Sequence, residues 1–152
     1  SLVDVKQSIS YEAEAAMRME ALASGAAEDG GGYAFSIDDA APMRIAWQPV
    51  VREVVADVLA GVPSALIATR FHAAVARMIA DVCGRLRTHG AGRTVGLTGG
   101  VFQNALLVQR AIDELHRAGF EVLVHQRVPA NDGGLALGQA VLARAGSGHD
   151  RR

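Results

Sequence analysis

The chain holds one cysteine, Cys83, among its 152 residues, so no internal disulfide can form. No uninterrupted apolar run reaches the length of a membrane span. No charged n-region followed by an apolar h-region opens the chain either, and with the lone cysteine this points to the cytoplasm. Excess charge is also missing: 15 Lys and Arg against 16 Asp and Glu give a net charge of −1, which leaves no electrostatic footprint for nucleic acid. Several site motifs are absent as well. There is no GxGxxG dinucleotide fingerprint, no lysine after a glycine turn as a P-loop requires, and no serine elbow between glycines. Neither His-x-x-x-His nor Cys-x-x-Cys occurs, so no complete metal site is evident.

What remains is the composition of one ordinary globular domain, 50% hydrophobic and 20% charged, long enough to bury a core. The chain opens on Ser1 rather than Met, which suggests processing or a piece of a longer protein. Ser10 can cap a first helix to about residue 23, with Glu12 and Glu14 in its first turn and Ala15, Ala16, Met19, Leu22 and Ala23 on its buried face. Residues 28–32 read as a loop. Alternation at 33–37 and 43–47, with turn residues between, reads as a β-hairpin. A short one-sided helix follows with Val50, Val51, Val54, Val55, Val58 and Leu59, and Gly61 fits the position beyond its end. The longest predicted helix begins near Pro63 and Ser64 and ends before Gly90, its stripe formed by Ile67, Phe71, Val75, Met78, Val82 and Leu86. Cys83 lies close to that stripe as a small core residue, and His72 is a boundary histidine or a ligand.

Residues 94–104 organise the rest. Val95 and Leu97 read as a strand, Thr98-Gly-Gly as a tight turn, and Val101, Ala105, Val108, Ile112 and Leu115 as one helical face. Glycines without Cβ and unpaired N–H groups at a helix start can hold a phosphate; the same pair can equally serve only to turn the chain. After Gly119, residues 120–124 form a second strand, and a right-handed crossover makes the two strands parallel. Another glycine turn, Asn131-Asp-Gly-Gly, opens the last helix, from Leu135 to about residue 145. Both turns then lie at the carboxyl edge of the sheet, where open α/β folds place ligands. Asn131 or Asp132 can cap that helix, and Asp132 can instead be a metal ligand or acid–base group.

Four collinear segments carry a resemblance: Ser10-Tyr-Glu-Ala-Glu-Ala-Ala16, Ile67-Ala-Thr-Arg-Phe-His72, Thr98-Gly-Gly-Val-Phe-Gln-Asn104 and Val128-Pro-Ala-Asn-Asp-Gly-Gly-Leu-Ala-Leu-Gly-Gln139. They resemble the C-terminal part of the hydrogenase-maturation carbamoyltransferase family, HypF, whose module is similar to the tRNA threonylcarbamoyl-transfer enzymes and to the sugar-kinase, heat-shock and actin ATPases. The resemblance implies an α/β fold: a single lobe with parallel strands flanked by helices and an inserted hairpin at 33–47, the lobe covering 1–146 and a polar tail covering 147–152. It implies a parent that uses carbamoyl phosphate and ATP, through carbamoyl-adenylate, to carbamoylate the C-terminal cysteine of the partner HypE.

Carried onto this chain, Gly99 and Gly100 would face the adenylate phosphate with Gly133 beside the nucleotide, Asn104 would lie near the nucleoside, and Glu12 would reach the ribose hydroxyls. Asp132 would be the catalytic metal ligand, its iron or zinc ion completed by histidines outside this chain. The family has Gly-Gln after its Tyr-Glu pair where this chain has Ala13-Glu14. Alone the lobe should not turn over, and it is expected to self-associate. Two other classes stay open: a binding lobe for nucleotide or partner without activity, and a lobe of a tRNA or antibiotic carbamoyl transferase.

Overall fold

The computed structural model describes residues 3, 5, 7–27 and 31–147, so part of the predicted loop at 28–32 and the tail from 148 onward lie outside the described residues. In chain order the elements are α1 (Glu14–Ser24), β1 (Ser36–Asp38), β2 (Arg44–Ala46), α2 (Gln48–Leu59), α3 (Ser64–Thr88), β3 (Thr94–Leu97), α4 (Ala105–Arg117), β4 (Glu121–Val124) and α5 (Leu135–Ser147). Single 3-10 turns at Gly100–Gln103 and Asp132–Gly134 precede α4 and α5. The fold is mixed α/β, and β3 pairs with β4 in parallel, Thr94 opposite Glu121 and Leu97 opposite Val124, as the crossover rule requires. β1 and β2 form the expected antiparallel hairpin with Ile37 opposite Ile45.

α3 is the axis of the molecule. One half packs with α4 and the parallel pair around Ala76, Ala80, Leu97, Leu107, Ala111, Leu115 and Phe120. The other half packs with α2 and Tyr33 around Val50, Val54, Ile67 and Ala74. The predicted stripe therefore needs correction: Ile67 is buried, but Leu86 is 46% exposed and the deepest positions include Ala68, Ala74 and Ala76. A helix flanked by other helices buries more than one stripe, and alanine is the side chain that lets two backbones approach.

α4 ends on Ala118 with Gly119 at φ +78. The N–H of Gly119 reaches the carbonyl of His116, and that of Phe120 reaches Leu115. This paired closure needs a left-handed residue, turns the chain directly into β4 and buries Phe120.

The start of α1 also differs from expectation. The helix begins at Glu14, not after Ser10, and Ala13 stands before it at φ 63. Glu14 is no solvated first-turn carboxylate: it is buried, accepts the Ser10 N–H at 2.7 Å and pairs with Arg18 at 3.0 Å. Charge-assisted bonds of this kind offset the desolvation of the carboxylate. Of the expected α1 face only Ala23 is fully buried, while Leu22 is exposed. Among the described residues no helix is long and apolar enough to cross a membrane.

Candidate functional site

The two loops that leave the parallel strands are tied together at the carboxyl edge. Gly99, at φ +107, donates its N–H to the carbonyl of Ala130 at 2.7 Å. The Thr98 hydroxyl leans on the same carbonyl at 3.4 Å, and His125 Nε2 shares a hydrogen bond of 3.0 Å with that hydroxyl. A positive φ is open to glycine and strained for other residues, so Gly99 is the joint that brings the first turn against the second.

The first turn is not itself the start of α4. Gly100–Gln103 forms one 3-10 turn, Val101 is 59% exposed rather than on the buried face, and Asn104 caps the α-helix by accepting the Leu107 N–H at 2.8 Å. The Gly99 N–H is committed to Ala130, so a phosphate approaching here meets the 3-10 turn, where a Cβ on Gly100 would meet nothing within 4 Å. At the second turn Asn131, not Asp132, is the cap: its Oδ1 accepts the Gly133 N–H at 3.1 Å. That leaves the exposed Asp132 carboxylate without a hydrogen-bond partner among the described residues, at the positive end of the helix that follows.

Glu12, Ala13, Gly100, Gln103, Asn131 and Asp132 line one cleft of about 480 Å³. Asp132 also borders a second cleft of about 460 Å³, with Thr98, Gly99, His125 and Leu142 on its walls. Pockets of about 300–1,000 Å³ suit small molecules, so each is of ligand size. The fold thus gathers Glu12, Gly100 and Asp132, predicted from three separate segments, in one space, while Gly99 lines the second cleft. Gly133 is spent on the Asn131 cap and Asn104 stands behind the turn. A larger space of about 750 Å³ lies between the C-terminal parts of α3 and α4. Its charges offset one another, Arg85 pairing with Asp39 and Arg117 with Glu114, and neither glycine turn reaches it.

A side chain left undecided by spacing finds its partners here. His72 is buried on α3; its Nδ1–H donates to the Ala68 carbonyl at 2.8 Å, and its Nε2 accepts from Asn104 Nδ2 at 3.0 Å. This is a neutral ring with both nitrogens occupied, the boundary-histidine reading. The ring's position four residues after Ala68 was visible in sequence, but the partner 32 residues away was not. Cys83 packs against the α3–α4 core, where burial pushes its thiol pKa up and keeps it protonated. Among the described residues no three His, Cys, Asp or Glu side chains converge to hold a metal. Asp132 can supply a carboxylate ligand, and a complete site would need further ligands.

The chain is similar to proteins of one known family. Residues 1–139 match a family model described as a carbamoyltransferase, Kae1-like domain, second subdomain. The chain is 38% identical over 138 residues to carbamoyltransferase HypF of Rhodobacter capsulatus, covering 90% of this chain and 17% of that protein. It is 34% identical over 135 residues to the HypF of Rhizobium leguminosarum bv. viciae, covering 88% and 17%. A crystal structure of full-length HypF in the phosphate- and nucleotide-bound form superposes with a TM-score of 0.85 at 34% identity, over 93% of this chain and 18% of that one. HypF from T. kodakarensis superposes at 0.77 with 25% identity, over 92% and 18%. The chain therefore spans less than a fifth of the length of these relatives.

Proposed function

The chain belongs to the HypF carbamoyltransferase family, as the second subdomain of its Kae1-like domain, and from that premise we propose that it is the lobe on which a carbamoyl group passes from an adenylate to a protein thiol. The observation that carries this reading is the convergence of Glu12, Gly100, Gln103, Asn131 and Asp132 on one cleft at the carboxyl edge of the parallel pair. Bare glycine backbone admits a phosphate, and Glu12 can accept from ribose hydroxyls across the same space. Carbamoyl phosphate and ATP are the substrates of the parent, carbamoyl-adenylate is what this cleft receives, and a HypE-type C-terminal cysteine in the cytoplasm is the acceptor.

In the transfer the thiolate adds to the carbamoyl carbon, the bond from that carbon to the phosphate oxygen breaks, and AMP leaves with the electron pair. Asp132 fits the demand of a hard or borderline cation for an anionic oxygen, and its carboxylate is free to give one; iron or zinc would need further ligands from the rest of the parent. Such an ion, when bound, supplies Lewis acidity toward the carbamoyl oxygen. What this chain contributes is the glycine floor, the ribose acceptor and that single carboxylate.

A second reading, a lobe that binds nucleotide or partner without catalysis by itself, is favoured by one fact: among the described residues no group of three His, Cys, Asp or Glu side chains comes together to hold a metal. Asp132→Asn in the full-length parent separates the two. With the cap assigned to Asn131, the substitution should leave stability unchanged, lower metal affinity at least about 10–100-fold and abolish transfer to the partner cysteine while carbamoyl-adenylate still forms. Metal content and partner carbamoylation at wild-type level would leave this lobe a binding element only.

A further inference from the structure

A part-buried polar seam, with no task in the transfer, meets the cleft wall at Asn104. That seam joins three helices. Glu20 of α1 accepts the Leu106 N–H at 3.2 Å, Arg110 of α4 donates to the Thr69 carbonyl at 2.6 Å, and the Thr69 hydroxyl contacts the Ala23 carbonyl at 3.2 Å. In the middle, His72 holds Asn104 Nδ2, which directs Asn104 Oδ1 onto the Leu107 N–H. Asn104 both closes the 3-10 turn, its own N–H reaching the Val101 carbonyl at 3.2 Å, and caps α4. One side chain therefore fixes the joint between the turn that floors the cleft and the helix that carries it.

We propose that His72 is a positioning residue for this cleft: by holding the Asn104 amide in one orientation it sets the Gly100–Gln103 wall against Glu12 and Asp132. This rests on the reading of the cleft as the adenylate site. The neutral ring suits the task because it must donate on one side and accept on the other. Loss of the Nε2 acceptor frees the Asn104 amide to rotate, and the cap and the turn then loosen together. A bland structural histidine would matter for stability alone. A positioning one makes the turn, and whatever sits on it, depend on its hydrogen-bond pattern.

The test uses the full-length parent with three substitutions, measuring ATP–pyrophosphate exchange as the upstream step, carbamoylation of the partner cysteine, and hydrogen exchange over residues 100–107. His72→Ala should lower transfer about tenfold or more with pyrophosphate exchange intact, and it should speed amide exchange in that segment. His72→Gln, whose amide can donate toward Ala68 and accept from Asn104, should restore most of both. Asn104→Ser keeps a good helix cap but cannot reach His72; it should reproduce the transfer defect even if His72→Ala fails to fold. Transfer at the wild-type rate in Asn104→Ser, or a defect that His72→Gln does not relieve, would overturn the proposal. Gly100→Val separates this from the parent reading: if filling the cleft floor leaves transfer untouched, the cleft is not the adenylate site, whatever His72 does.

Discussion

Three side chains show how single residues gain meaning from partners that are far away in sequence. The Tyr33 hydroxyl donates to Asp57 at 2.6 Å, and Asp57 also pairs with Arg70 at 2.6 Å, so the loop before the hairpin is pinned to α2 and α3. Burial first, then the bond to the Asp57 carboxylate, pushes the Tyr33 pKa well above its ordinary value of about 10. The sign follows. The folded state binds the phenolic proton more tightly than the unfolded chain, so this stabilisation is whole below pH 10 and declines as pH rises beyond it. Tyr33→Phe should cost about 1–2 kcal/mol at neutral pH and flatten the alkaline decline. Urea unfolding at intervals between pH 8 and 11 checks both effects; parallel curves for the two proteins would refute the assignment. At this scale the sequence was a partial guide. It offered Asn131 and Asp132 as alternative caps and only the fold chose between them. Likewise it placed Glu14 in the first turn of α1 without showing its burial, because nothing in one sequence reveals that Ala13 turns left-handed and brings the Ser10 N–H onto the Glu14 carboxylate.

Elements were legible wherever one periodicity ran long enough, and their burial was not. α2, α3, α4 and the parallel pair fall close to where apolar spacing, Pro63, Gly61 and Gly119 put them, because helix ends and turns are set by local chemistry. The stripe on α3 misled because the reading ranked large side chains, whereas close helix packing selects small ones. Ala111 of α4 is fully buried in the same cluster as Ala76 and Ala80 of α3. Enlarging it should force the helices apart. Ala111→Leu is expected to destabilise the lobe by about 1–3 kcal/mol even though it adds apolar surface. A thermal or urea midpoint equal to that of the unsubstituted protein would mean that the α3–α4 contact is loose. The 3-10 turn at Gly100–Gln103 is hidden for a related reason: the positions from Val101 to Leu115 satisfy one helical period, so a tighter turn over the first of them leaves no mark on the spacing.

At the scale of the whole molecule, the surface carries apolar residues that the cores do not use. β3 and β4 turn Val95, Leu97 and Val122 inward, but Leu123 is 55% exposed on the other face, where parallel sheets are ordinarily covered. α5 carries a row of exposed aliphatic side chains, with Leu135 61%, Leu137 53%, Val141 60% and Leu142 72% exposed, and it begins beside the second cleft. Such groups favour association, but the area decides how strongly. Stable interfaces bury about 1,200–2,000 Å², whereas four or five half-exposed aliphatic side chains offer on the order of a few hundred. The isolated chain should therefore self-associate weakly, its apparent mass rising with concentration rather than standing at a fixed dimer. Val141→Glu combined with Leu142→Glu should return it to a monomer at little cost in stability, since both residues are exposed. Light scattering over a concentration series distinguishes the outcomes: a strict monomer at high concentration excludes self-association, and an assembly that survives the two glutamates assigns the contact to a face other than α5.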